Sequence, residues 1–186
     1  LIADVADKGL GPALYMALSR TLIRTFATQH PLHPAQVLTM VNQRILQDAR
    51  ANLFVTVFYG VLDPATGQLT YANAGHPPPY LINASAGIQT LRNTGMPLGI
   101  DEESVWGQET VRIAPGDVLL LYTDGVTDAQ NSQGEFIDRQ TILDVASDCP
   151  GKPVELIRQD ILQVVHDFVG EAARFDDITL VVLSRD

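Results

Sequence analysis

Three acidic positions stand where apolar runs of the chain stop. Asp4 closes Leu1-Ile2-Ala3, Asp124 follows the run Val118 to Thr123, and Asp176-Asp177 stands directly before Ile178 to Leu183. If these runs are neighbouring strands, their acidic ends meet at one rim of the sheet. Carboxylates gathered within a few ångströms repel one another unless a cation lies among them, and oxygen-only donors select a hard divalent ion, Mg²⁺ or Mn²⁺. No His pair at helical spacing accompanies them, which argues against zinc. Each position also has a simpler reading. Asp124-Gly125 alone is a turn signal, Asp176-Asp177 a solvated lead-in to a strand, and Asp4 the approach to a helix cap.

The segments that must position these acids change period along the chain. After Gly11-Pro12, Leu14, Ala17, Leu18, Leu22 and Phe26 recur at helical spacing until His30-Pro31, which predicts a helix with those five on its buried face. Pro34 opens a second helix with Leu38, Val41 and Ile45 inward and an end near Ala49, so residues 10–49 form a helical hairpin. From Phe54 the period falls to two. Phe54 to Leu62 and Leu69 to Ala74 flank the turn Asp63-Pro64-Ala65-Thr66-Gly67, and Tyr80 to Ile82 and Ile88 to Leu91 flank Ser85-Ala86-Gly87. Val105 to Ile113 reads as one strand, with Trp106 a strand residue that packs or faces solvent. Val118 to Tyr122, apolar throughout, reads as a central strand. Helices are predicted over 138–148 and 153–169, the latter with Val154, Ile157, Ile161, Val164 and Phe168 on one side, before a last strand Ile178 to Leu183. Helices, a run of antiparallel strands, helices and a final strand describe the α+β class.

Composition sets the outer limits. The chain has 186 residues, 46% of them apolar and 18% charged, which excludes disordered and collagenous classes. Twelve Lys and Arg against 22 Asp and Glu leave a formal charge of −10, unfavourable for phosphate backbones, so no nucleic-acid partner is expected. Cys149 is the only cysteine and, with no basic neighbour in sequence, is not a nucleophile candidate. No stretch of eighteen apolar residues occurs, and a soluble, cytoplasmic protein is expected. With no internal repeat or linker, residues 1–186 read as a single domain. The opening Leu1-Ile2-Ala3-Asp4 reads as the end of a strand with no initiator Met, so that domain is expected to be N-terminally truncated.

Seven blocks in order carry a resemblance. They are Asp4-Val5-Ala6-Asp7-Lys8-Gly9; Phe54 to Asp63; Tyr71-Ala72-Asn73-Ala74-Gly75-His76-Pro77-Pro78-Pro79; Met96-Pro97-Leu98-Gly99; Pro115-Gly116-Asp117; Leu121 to Asp128; and Asp176-Asp177-Ile178-Thr179-Leu180. Together they resemble the SpoIIE-type bacterial branch of the metal-dependent protein serine/threonine phosphatases (type 2C, PPM class). The resemblance implies an αββα sandwich of two mainly antiparallel sheets flanked by helical hairpins, with two Mn²⁺ or Mg²⁺ between the sheets and phosphoserine or phosphothreonine in a protein as substrate. Carried over by position, Asp4 would bridge the metals, the backbone carbonyl of Val5 would ligate one, and Asp124 and Asp176 would complete the acidic ring. Asp177 stands where the family places a metal-side or phosphate-side group. The implied partners are a phosphorylated regulatory protein of anti-anti-sigma type and an upstream sensor domain in the full-length protein. The 10–49 hairpin offers a face for a switch or a homodimer.

The chain departs from the family pattern at three points. Ala6 stands where the wider class often has a histidine proposed as acid, so the leaving-group proton is expected from water. Asp7 stands where the motif commonly has glycine and is expected to cap the following helix. A strand pair carrying a further metal-binding Asp is missing from these residues, and truncation is the expected cause. His76, between Gly75 and three prolines, fits the rim of a site and equally fits a stiff turn. The competing functions are a catalytically inactive phosphatase-fold binding module and a small-molecule metal phosphoesterase.

Overall fold

The structure is a computed structural model and describes residues 1–48, 53–172 and 176–185. In chain order its elements are β1 (Ile2–Val5), α1 (Leu10–Gln29), α2 (Pro34–Asp48), β2 (Val55–Asp63), β3 (Gln68–Ala74), β4 (Tyr80–Asn83), β5 (Gly87–Thr90), β6 (Glu109–Arg112), β7 (Val118–Tyr122), α3 (Asp124–Thr127), α4 (Arg139–Ser147), α5 (Val154–Val169) and β8 (Leu180–Ser184). They form two compact units. Unit 1 is Leu1–His76 with Arg92–Arg112, and unit 2 is Pro77–Leu91 with Ile113–Asp186. Each contains one four-stranded sheet, ordered β1-β2-β3-β6 and β5-β4-β7-β8, and every pairing is antiparallel. The α+β class with two antiparallel sheets and flanking helices is therefore observed.

In unit 1 the β2–β3 hairpin is set by its turn. Gly67 N–H donates to Asp63 C=O at 2.8 Å, and the Asp63 carboxylate takes Ala65 N–H at 3.0 Å and the Thr66 hydroxyl at 2.7 Å. Helix α2 buries Leu38, Val41 and Ile45, as its period predicts, together with Val37 and Asn42; its expected end at Ala49 lies outside the described residues. Helix α1 corrects the predicted face by one residue. Tyr15, Ser19 and Ile23 are buried, Leu22 and Phe26 sit at the margin, and Leu14 is 63% exposed. Ser19 can lie inward because its hydroxyl donates to Tyr15 C=O at 2.8 Å, so no polar group is left unbonded by its burial.

The strand expected over Val105 to Ile113 is reduced to β6. Trp106 turns into the unit 1 core, where its indole N–H donates to Met96 C=O at 2.8 Å, while Val105 is 75% exposed. A buried indole needs a partner for its N–H, and that requirement overrides strand continuation. Asp7 does not cap α1, whose N-cap is Gly9 with no side-chain bond. It adopts φ 76°, and its own carboxylate accepts Lys8 N–H at 2.8 Å.

In unit 2, β7 lies between β4 and β8 with all five residues buried. Tyr80, Ile82, Val118, Leu120 and Tyr122 form a core with Ile142, Ala146, Ile157, Ile161 and Val165 of α4 and α5. Asp138 caps α4, accepting Gln140 N–H at 2.9 Å. On α5 the stripe is Ile157, Ile161 and Val165, with Val164 and Phe168 at its edge. No helix among the described residues is long and apolar enough to cross a membrane.

Candidate metal centre

Asp4 and Val5 belong to unit 1. Within β1 they alternate faces: Ala3 and Val5 pack with Val55, Val57 and the α1–α2 side chains, so Asp4 lies on the opposite face. Asp4 pairs with Thr56 and Val5 with Val55. Ala6 N–H donates to Phe54 C=O at 3.0 Å, which makes positions 54 and 6 a hydrogen-bonded pair. Ladder alternation then makes Asp4–Thr56 another such pair and Val5–Val55 a non-hydrogen-bonded one. The Val5 carbonyl accordingly points away from β2, outward from β1, which has no second neighbour among the described strands. That orientation leaves it available as an oxygen ligand.

The Asp4 side of this sheet is polar where it meets the loop after β3. Thr56 Oγ1 lies 3.3 Å from Asp4 C=O and 3.0 Å from His76 Nδ1. Asn73 holds His76 by its backbone: Asn73 Oδ1 accepts His76 N–H at 2.9 Å and Asn73 Nδ2 donates to His76 C=O at 3.1 Å. His76 and Asn73 are both 0% exposed. Gly75 makes the turn, with φ 69° and no room for a side chain, since a Cβ would lie 2.6 Å from Pro97 Cγ. Further along, Tyr71 stacks on Phe58 and donates to Glu109 at 2.7 Å; burial, then that carboxylate, pushes its phenol pKa up.

Asp124, Asp176 and Asp177 belong to unit 2. Asp124 is the first residue of α3, a single turn closed by Asp128 N–H on Asp124 C=O at 2.7 Å. Thr123, 3% exposed, joins the two acidic segments. Its hydroxyl donates to Asp177 C=O at 3.1 Å and accepts Thr179 N–H at 2.9 Å, while its own N–H donates to Thr179 C=O at 3.0 Å. Gly125 comes so close to the same loop that a Cβ there would lie 2.3 Å from Asp177 C=O. Asp177 N–H donates to Asp176 Oδ1 at 2.8 Å. The structure thus brings the Asp124 segment and the Asp176-Asp177 segment together through backbone and a threonine hydroxyl.

Neither unit contains the complete predicted ligand set, and among the described residues no three His, Cys, Asp or Glu are gathered into a metal-sized group. The donors themselves fit a hard divalent cation: they are carboxylate and carbonyl oxygens, and the one carbonyl among them is turned out of its ladder. Thr56, Asn73 and Thr123 were not singled out from sequence. The available signal was a threonine inside the apolar run Phe54 to Phe58 and another directly after the apolar run Val118 to Tyr122. Asp117, 4% exposed, is a structural acid: its two oxygens accept Ala84 N–H at 3.1 Å and Ala114 N–H at 2.9 Å. Burial pushes the Cys149 thiol up to about 11, consistent with a residue that is no nucleophile.

This architecture is the PP2C phosphatase fold. The SiaA-PP2C domain of Pseudomonas aeruginosa matches it with a TM-score of 0.83 at 22% identity, over 99% of this chain and 74% of that one. The RsbU and RsbW domains of Rv1364c from Mycobacterium tuberculosis match with a TM-score of 0.78 at 24% identity, over 98% of this chain and 51% of that one. Within that fold the chain belongs to the SpoIIE family, Stage II sporulation protein E, which it matches over residues 1–186. It is 29% identical over 215 residues to Protein IcfG of Synechocystis, across 100% of this chain and 33% of that protein. It is 30% identical over 190 residues to the phosphoserine phosphatase RsbU of Bacillus subtilis, across 99% of this chain and 54% of that protein. The chain therefore spans from a third to about half of those relatives.

Proposed function

We propose that the chain is a metal-dependent protein serine/threonine phosphatase that hydrolyses phosphoserine or phosphothreonine in a regulatory protein of anti-anti-sigma type. The observation that carries this reading is the family match across all of residues 1–186, with Asp4, Asp124, Asp176 and Asp177 at the positions the resemblance gives to the site. The name of RsbU, a phosphoserine phosphatase, supports the reaction, and the PstP catalytic domain, solved with two manganese ions, supports the metal.

In this reading Asp4, Asp124 and Asp176 would hold two Mn²⁺ or Mg²⁺ through carboxylate oxygens, Val5 would hold one through its carbonyl, and Asp177 would stand beside them. Two such cations, when bound, would supply a water acidic enough to ionise near neutral pH and would neutralise charge on the phosphoryl oxygens. The protein's own task is placement. Thr123 and Gly125 fix Asp124 relative to Asp177, and the β1–β2 pairing fixes Asp4 and Val5. Ala6 has no side-chain proton to give, so in this reading the leaving serine or threonine oxygen takes its proton from water, metal-bound or bulk.

The test is phosphate release from a phosphoserine regulatory protein with and without Mn²⁺. Asp4→Asn and Asp124→Asn are each expected to cost more than the roughly 10–100-fold that loss of an outer partner costs a metal site. Release from an aryl phosphate but from no phosphoprotein would move the assignment to a small-molecule phosphoesterase. Release from neither would leave a binding module.

A further inference from the structure

We propose that His76 and Thr56 are positioning residues for the ligands on β1, acting through a hydrogen-bond chain of fixed direction that runs from His76 Nδ1–H to Thr56 Oγ1–H to Asp4 C=O. The inference rests on the reading of Asp4 and Val5 as metal ligands.

The direction follows from the inventory of protons. A main-chain carbonyl only accepts, and a threonine hydroxyl has one proton. If Thr56 Oγ1 gives that proton to Asp4 C=O, it faces His76 Nδ1, 3.0 Å away, with lone pairs only, so Nδ1 must donate. The imidazole is thereby held with its proton on Nδ1. Its place is set independently of Thr56, by Asn73 bonding both the N–H and the C=O of His76 and by Gly75 turning the chain against Pro97.

What the chain of bonds controls is the residue next to Asp4. Two peptide planes flank Val5. The one before it contains Asp4 C=O, which takes the Thr56 hydroxyl; the one after it contains Ala6 N–H, which donates to Phe54 C=O at 3.0 Å. Both are tied to β2, so the Val5 carbonyl has one direction left, away from β2. Directly after Ala6 the chain turns at Asp7 with φ 76°, beyond the β1–β2 ladder, and the Thr56 bond adds to the ladder at its last pairs before that turn. Outer partners that orient ligands in this way typically change metal affinity 10–100-fold.

The test uses the purified protein and two readouts. Nitrogen-15 NMR of histidine-labelled, metal-free protein is expected to show His76 protonated at Nδ1; an unprotonated Nδ1 overturns the proposal. Calorimetric titration with Mn²⁺ is expected to show affinity weakened roughly 10-fold or more in Thr56→Val and restored in Thr56→Ser, which keeps the hydroxyl. His76→Asn, which retains an amide donor near the Nδ1 position, is expected to bind Mn²⁺ more tightly than His76→Gln. This comparison and Thr56→Ser keep the proposal open to refutation if Thr56→Val does not fold. Asp4→Asn is the control that separates the two claims. If it binds Mn²⁺ as wild type does, the ligand reading fails. If it loses Mn²⁺ while Thr56→Val binds normally, the ligand reading stands and the positioning role is overturned.

Discussion

Units 1 and 2 solve one problem by different means. Each has a four-stranded antiparallel sheet with helices, and each carries acidic residues that the proposed function places at metal. In unit 1 the acid is on a short strand with one neighbour among the described strands, and the fixing hydroxyl comes from across the ladder: Thr56 reaches Asp4 C=O and is backed by the buried His76. In unit 2 the hydroxyl is the acid's own predecessor, Thr123, which crosses to the other acidic segment and is backed by a Thr179 N–H. In both cases one hydroxyl gives a proton to a main-chain carbonyl and faces a nitrogen with its lone pairs. Main-chain bonds of this kind fix the segments that carry Asp4 and Asp124 without using their carboxylates. The difference lies in what resists change: a side-chain network in unit 1, close backbone approach in unit 2.

That difference is sharpest at glycine. Gly125→Ala puts a Cβ 2.3 Å from Asp177 C=O, and a main-chain oxygen cannot rotate away as a flexible side chain would. A loss of stability of about 1–3 kcal/mol is expected, together with loss of Mn²⁺-dependent phosphate release; urea denaturation and the phosphatase assay read the two separately. Wild-type activity in Gly125→Ala would show that the two acidic segments tolerate separation and would break the comparison.

Asp117 tests the same distinction away from the ligands. Asp117→Ala leaves the Ala84 and Ala114 N–H groups without their carboxylate, and a buried donor left unsatisfied costs about 1–3 kcal/mol. Thermal unfolding is expected to drop by an amount consistent with that range, with Mn²⁺ affinity unchanged. A change in Mn²⁺ affinity at equal stability would make Asp117 part of the site.

How far these features were legible before the structure depends on what each one needs. The β2–β3 hairpin was readable because Asp63-Pro64-Ala65-Thr66-Gly67 is sufficient to make its own turn, and α2 because Leu38, Val41 and Ile45 hold a clean period. The face of α1 was misread by one residue because Leu14 and Leu18 outrank Tyr15 and Ser19 in hydrophobicity, and nothing in the sequence shows that Ser19 satisfies its hydroxyl on Tyr15. The strand around Trp106 was overextended because its indole partner, Met96 C=O, is a loop contact. For the candidate site, the acid positions were visible at the ends of apolar runs. Their supports were not, since Thr56 meets Asp4 across 52 residues and Thr123 meets Asp177 across 54.

Cys149 offers a milder probe of unit 2. Burial raises its thiol from 9.0 to about 11, so the protonated form is favoured in the folded state. Its contribution to stability is complete below pH 9.0 and fades as pH rises through about 11. Alkylation at pH 8 is expected to be slow in the folded protein and fast in urea; rapid labelling of folded protein would mean that the α4–α5 side of unit 2 opens readily.

The smallest expected effect is at Asp7, just past β1 in unit 1. Its φ of 76° is the left-handed region, where a Cβ costs about 1–2 kcal/mol and where Asp is tolerated through local bonds such as the one from Lys8 N–H. Asp7→Gly gives up that bond and gains conformational ease, so it should stay within about 1 kcal/mol of wild type. Asp7→Ser separates this account from a capping role. Serine caps helices about as well as aspartate, so a cap would survive the change. In the left-handed region serine has the Cβ cost with a weaker local bond, and a loss of about 1 kcal/mol is expected by urea denaturation. Unchanged stability in Asp7→Ser would restore the cap. A loss there, with Mn²⁺ affinity preserved, would place Asp7 as the turn that ends β1 after the Thr56 and Phe54 bonds have already set Val5.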